Sequence, residues 1–223
     1  MKLLSMQFAL FTSEKIDRPD LLKDEINNAI GGKLNGMPTI LNIPQELSLE
    51  VPIVQIKSVD NILALNVSRN RVDFFVNPHY NNNTLPIDTL KQYRPIIDKY
   101  FKVVFNSTKI NRVGIVFTLF KPEQENISKI FEKFLVEKHL SCNTEVSIRT
   151  NSQKMNRGII YNNVRTVESA EIIVDESNQK GVIVQFDTNN VSLEKNILSI
   201  DDISDIVEFA INNIKTKVIK ELI

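Results

Sequence analysis

Lys109–Phe120 reads KINRVGIVFTLF. Val113, Ile115, Phe117 and Leu119 fall on one side of an alternating pattern, and Arg112, Gly114, Val116 and Thr118 fall on the other. Period two is the mark of a strand with one buried face. Helical patterns flank it. Upstream, Ile87, Leu90, Ile97, Tyr100 and Phe101 form an apolar stripe; downstream, Ile127, Ile130, Phe131, Phe134 and Leu135 form another. Pro122 is expected to end the strand and open the second of these helices.

Toward the N-terminus, residues 3–12 alternate in the same way, with Leu4, Met6, Phe8 and Leu10 opposed to Leu3, Ser5, Gln7 and Ala9. Asp17 or Arg18 then leads into Pro19, which suits a first helical turn, and Gly31–Gly32 supplies the stop. A short strand is expected at Thr39–Ile43, followed by strands at Val51–Ser58, Asn61–Ser68 and Arg71–Asn77 with hairpin-length gaps. After the polar loop His79–Thr84, Thr84 is expected to cap a helix with Pro86 in its first turn. Pro95 predicts a kink, or a division into two short helices.

Toward the C-terminus, strands are expected at Thr144–Thr150, Arg157–Val167, Ala170–Val174 and Gly181–Asp187, with a turn at Asn178–Gly181. Ser199 followed by Asp202 reads as a capping box. Ile203, Val207, Ala210, Ile214 and Val218 give the last helix a long apolar face.

Both halves therefore read β-α-β-β-β-α, and short matches support a duplication. Phe8-Ala9-Leu10-Phe11 parallels Phe117-Thr118-Leu119-Phe120, and Leu85-Pro86-Ile87-Asp88 parallels Leu198-Ser199-Ile200-Asp201. Glu50-Val51-Pro52-Ile53 parallels Glu145-Val146-Ser147-Ile148. The expected fold is α+β: repeats at 1–105 and 106–223, able to form one continuous domain, building an antiparallel sheet with helices packed on one face. The element order resembles the duplicated saddle-like sheets of the TATA-box-binding-protein type. That likeness implies fold and no function.

The central strand also resembles a pattern, R-x-G-L-R-Y-x-N, of a family of uncharacterised bacterial proteins. Arg112, Gly114, Ile115 and Phe117 fit it, while Val116 and Leu119 stand where the second arginine and the asparagine would be. A strand such as Val182–Asp187 followed by a long last helix extends the resemblance over roughly Ile62 to the C-terminus. It implies architecture without an established activity.

In 223 residues, 42% are hydrophobic and 24% charged, and 27 cations balance 27 anions, so no net field draws the chain to phosphate backbones. Cys142 is the single cysteine, which excludes an internal disulfide. The apolar opening reads as a strand and not a signal peptide, and no run reaches the ~18–20 apolar residues of a membrane span. A cytoplasmic protein with no membrane association is expected. The N-x-S/T triplets at Asn66, Asn82, Asn106, Asn126 and Asn190 read as chance in an Asn-rich chain.

No phosphate loop, metalloprotease, redox or nucleophile motif is present. His139 with Cys142 offers two metal ligands where zinc needs three or four, so no metal or cofactor is expected. His79 reads as a solvated loop histidine, and Asp201, Asp202 and Asp205 as helix N-terminal carboxylates. The stronger candidate is a surface. Alternation is expected to put Arg71, Asp73 and Phe75, Arg112, Glu145, Ser147 and Arg149, Tyr161, Asn163 and Arg165, and Gln185 and Asp187 on the helix-free face, with Ser5 and Gln7. From this set, Arg71, Phe75, Arg112, Arg149, Tyr161 and Arg165 are the candidate binding residues. A non-catalytic binder of protein, including a second copy of itself, is expected. Arginine beside aromatics offers the alternative of single-stranded nucleic acid or a nucleotide.

Overall fold

A computed structural model describes residues 1–42, 44, 46–79, 84–123, 146–174, 177–191 and 197–215. Its strands are β1 (Lys2–Thr12), β2 (Thr39–Ile40), β3 (Val54–Lys57), β4 (Leu63–Val67), β5 (Arg71–Val76), β6 (Ile110–Pro122), β7 (Ser147–Asn156), β8 (Ile159–Val174) and β9 (Ser177–Asn190). The described helices are α1 (Pro19–Ala29), α2 (Pro86–Ser107) and α3 (Ile200–Asn213). The strands form one antiparallel sheet in the order β2-β3-β4-β5-β1-β6-β9-β8-β7. The protein is α+β, with its described helices on one face of that sheet. The helix expected after Pro122 lies outside the described residues, and Pro122 itself is the last residue of β6.

The strand order is symmetric about the β1–β6 junction. In the first half β5, β4 and β3 follow outward from β1, and in the second β9, β8 and β7 follow outward from β6. α2 lies over β1 and β5, α1 over β3 and β4, and α3 over β6 and β9.

Local sequence explains most of these elements. Pro19 and Pro86 open α1 and α2, where a missing amide costs nothing. α1 ends on Gly31 (φ 79°) and Gly32 (φ 70°), a left-handed pair that side chains disfavour. At α3, Asp202 N donates to Ser199 Oγ at 3.2 Å, and Ser199 N donates to Asp202 Oδ2 at 2.8 Å, completing the expected box.

Several expectations are corrected. Thr84 makes no cap; Leu85 occupies that position. α2 is a single 22-residue helix, so Pro95 does not divide it in two. Pro95 and Lys91, whose carbonyl loses its partner, are both exposed, so that carbonyl is accessible to solvent. The stretch Asn178–Gly181 is not a turn but part of β9, paired with Ala170–Ile173 of an unbroken β8. The β7–β8 turn instead uses Arg157 (φ 47°) and Gly158 (φ 77°), two successive left-handed residues that match the twist of a two-residue hairpin. A register shift between Leu3 and Ser5 brings Leu3, not Leu4, opposite Leu119 and into the core.

The core lies between sheet and helices. Phe8 meets Phe101 and Phe117 edge-on, with ring centroids at 5.8 and 6.2 Å. Tyr100 is fully buried and stacked on Phe74 at 5.1 Å. Its hydroxyl lies 2.8 Å from the Val72 carbonyl and 3.1 Å from that of Phe8, and so ties α2 to β5 and β1. Burial pushes the phenol well above its ordinary pKa and keeps it a donor. Tyr100→Phe should retain the fold and lower the unfolding free energy by about 1 kcal/mol, measured by urea denaturation.

Gly181 has a different constraint. A Cβ there would lie 2.2 Å from the Lys121 carbonyl oxygen and 2.6 Å from the Phe120 ring, which is completely buried. Because one of those neighbours is main chain, the clash cannot be relieved by a rotamer change. Gly181→Ala should destabilise by about 1–3 kcal/mol in the same assay, with Gly114→Ala, which meets only Ala9 Cβ at 3.8 Å, as the mild control.

Candidate binding face

The helix-free face is set by register. Leu10, Val72 and Val113 point to the helices, so their neighbours Phe11, Arg71 and Arg112 form a row on the opposite side. The next row runs Gln55, Asn66, Asp73, Ala9, Gly114, Asn189, Asn162 and Gln153 across eight strands. A third contains Ala64, Phe75, Gln7, Val116, Asp187, Val164 and Asn151.

Phe11 anchors the first row. The Arg71 guanidinium lies 4.8 Å from its ring centroid and that of Arg112 lies 4.6 Å away, so two cations flank one ring. Phe11 is 9% exposed as a result. The two arginines differ in their partners. Arg71 Nη2 donates to Asp73 Oδ1 at 2.8 Å, while its Nε lies 2.7 Å from Oδ2 without being aimed along a hydrogen bond. Arg71 Nη1 donates to Glu50 at 3.4 Å, and Gln7 Nε2 donates to Asp73 at 2.9 Å. Burial opposes the charge of Arg71, but the two carboxylates outweigh it and raise its pKa. Arg112 has no carboxylate partner among the described residues.

The second row is a chain of amides. Gln153 Nε2 donates to Asn162 Oδ1 at 2.9 Å, Asn162 Nδ2 to Asn189 Oδ1 at 3.1 Å, and Asn189 Nδ2 to Asp187 at 2.9 Å. The chain stops at Gly114 and Ala9, which leave a shallow trough between Asn189 and Asp73. A Cβ at Gly114 would meet only Ala9 Cβ, at 3.8 Å, and both residues are buried between the taller side chains of the row.

Of the six candidate residues, Arg71, Phe75, Arg112 and Arg149 lie on this face, and Arg149 is on the outermost strand, apart from the other three. The placement of Tyr161, Asn163 and Arg165 there is corrected. Arg165 pairs with Phe186 and Asn163 with Thr188, both on the helix side. Tyr161 is 2% exposed, packed at 6.3 Å from Phe209 of α3. Arg165 sits over the Phe186 ring at 5.6 Å, and burial lowers its pKa. Asn163 exchanges amide hydrogen bonds with Asn213. Ser5, Gln7, Asp73, Ser147, Gln185 and Asp187 lie on the helix-free face as expected. Glu145, His139 and Cys142 are outside the described residues.

Phe11 was missed as a member of a site, and Gly114, expected on this face, was not counted among the candidate binding residues. Phe11 is legible in the sequence only as the counterpart of Phe120, and both are buried on the helix-free face. His79 is exposed. Asp201 and Asp205 flank Arg157, at 3.9 and 3.3 Å, which ties the β7–β8 turn to α3. Among the described residues no cluster of His, Cys, Asp and Glu converges to hold a metal. A scan against family models and a search of curated proteins find no match to this chain. No described helix is long and apolar enough to cross a membrane.

The Phe11–Arg112 contact can be measured. A double-mutant cycle of Phe11→Leu and Arg112→Ala should return a coupling of about 0.5–1 kcal/mol, read from thermal or urea unfolding. The corresponding cycle with Arg165 in place of Arg112 should return none.

Proposed function

We propose that this protein is a non-catalytic binding protein whose helix-free sheet face docks a protein partner, a second copy included. The observation that carries this reading is the trough over Ala9 and Gly114, bordered by the amide chain on one side and by Arg112 and Asp73 on the other. A glycine in a central strand carries no side chain to hold another main chain away. Side-chain amides both donate and accept, so they match main-chain groups of either polarity. Arg112, without a carboxylate partner among the described residues, supplies one site for a carboxylate.

The nucleic-acid alternative draws less support from the same residues. Tyr161 and Arg165 face the helices, and the faces of Phe11 are occupied by guanidinium groups instead of open to a base. Arg71 is committed to Asp73 and Glu50. Phosphate tracking needs a groove of free cations with exposed rings.

A photo-crosslinking residue at Val116, compared with one at Ser204 on α3, tests both. Adducts with protein, including a homodimer, are expected from position 116 and should vanish in Gly114→Val, whose side chain rises into the trough. Adducts formed only from position 204 would move the binding surface to the helices. Nuclease-sensitive adducts at 116, with salt-dependent oligonucleotide affinity lost in Arg71→Ala/Arg112→Ala/Arg149→Ala, would establish the alternative.

A further inference from the structure

β7 ends the sheet, and among the described residues only β8 pairs with it. The opposite end of the sheet is blunted by the two-residue β2, but β7 presents ten residues. Its outward groups follow from the ladder. Ser169 N donates to the Val146 carbonyl at 3.0 Å, so Val146 and Ser169 form a hydrogen-bonded pair. Alternation from there directs the main-chain groups of Ile148, Thr150, Ser152, Lys154 and Asn156 toward β8. The two-residue turn closing on Asn156 and Ile159 has the same phase. The N–H and C=O groups of Ser147, Arg149, Asn151, Gln153 and Met155 are therefore directed away from the sheet.

An edge of this length is a template for strand addition unless charge, proline or a bulge blunts it. β7 contains no proline, and its pairing with β8 runs without a register shift. Its only charges are positive. Arg149, opposite Thr166, lies on the helix-free face, and Lys154, opposite Tyr161, lies on the helix face, 5.3 Å from the Phe209 ring centroid. Neither has a carboxylate partner among the described residues. Pairing β7 with its own copy would bring together two strands that carry cations and no anion, so no register offers an opposite charge.

We propose that the outer edge of β7 takes an extended acidic segment of another protein as an added strand. The segment's main chain bonds to the outward groups from Ser147 to Met155. It carries one carboxylate on each face, at the separation of Arg149 and Lys154. This mode uses the edge of the sheet, so it is independent of docking over the Ala9–Gly114 trough.

The test uses the full chain and two fluorescent Thr/Val peptides of about ten residues. One carries two Glu at the separation of Arg149 and Lys154, and the other carries two Lys at the same places. Anisotropy should show the Glu peptide binding at least about tenfold tighter at low salt, with the difference shrinking as salt rises. Amide exchange at Arg149, Asn151 and Gln153 should slow on binding. In Arg149→Glu/Lys154→Glu the preference should reverse to the Lys peptide, which no loss of folding could produce. Asn151→Pro removes an outward N–H while sparing the β8 ladder, so binding should be lost with the unfolding transition retained. Gly114→Val should bind the Glu peptide like the wild type, which separates this site from the trough. Equal affinity for the two peptides, no binding of either, or unaltered exchange in β7 would overturn the proposal. Concentration-dependent protection of β7 without peptide would assign the edge to a second copy, and overturn it equally.

Discussion

The antiparallel pairing of β1 with β6 is the constraint on which the rest of the structure depends. It runs from Lys2–Phe120 to Thr12–Ile110 and joins the strands that open the two halves. Without it each half would have its opening strand at an edge, with main-chain groups unsatisfied and Phe8 or Phe117 lacking its neighbour. The junction also fixes the phase of both outer sets of strands. Once Met6 faces Phe117, Val76 and Phe186 must face the helices on either side. α2 is held over this junction by Phe101 against Phe8 and by the Tyr100 hydroxyl against two strand carbonyls.

The same phase sets the composition of the helix-free face. Phe11 and Arg112 are opposite because their strands pair in this register, and Arg71 reaches Phe11 from the other side for the same reason. A half-buried guanidinium is tolerable where ring faces and carboxylates replace water, as Phe11, Asp73 and Glu50 do for Arg71. Arg112 has the ring and, among the described residues, no carboxylate, which makes it the unfinished member of the cluster. The amide chain is similar in kind: it satisfies itself laterally and still presents donors and acceptors outward.

Sheet face and sheet edge are separate resources of one architecture. The face offers side chains over a short-side-chain floor, whereas β7 offers main chain. Their charges also differ in arrangement: the face interleaves Asp73 and Asp187 with its arginines, and β7 carries cations alone. A partner engaging the first would be read by shape and amide complementarity, and one engaging the second by strand propensity and acidity.

The sequence by itself determined the α+β class, the helix starts at Pro19 and Pro86, the Ser199 capping box and the side of β6 that carries Arg112. Those features rest on local chemistry: a ring that fixes φ, an oxygen that caps an amide, a clean alternation with Val, Ile, Phe and Leu all on one side. It could not place Tyr161 and Arg165. Along β8 the apolar residues Tyr161, Val164 and Val167 recur every third position, so no period-two phase can be read from them, and a one-residue error exchanges the faces. Only pairing with β9 settles that Arg165 lies opposite Phe186 on the helix side. Pairing likewise decided that Leu3 and not Leu4 enters the core, and that Phe11 lies between two arginines. Each of these is a contact between residues distant in the chain, and register, which no single strand encodes, creates it.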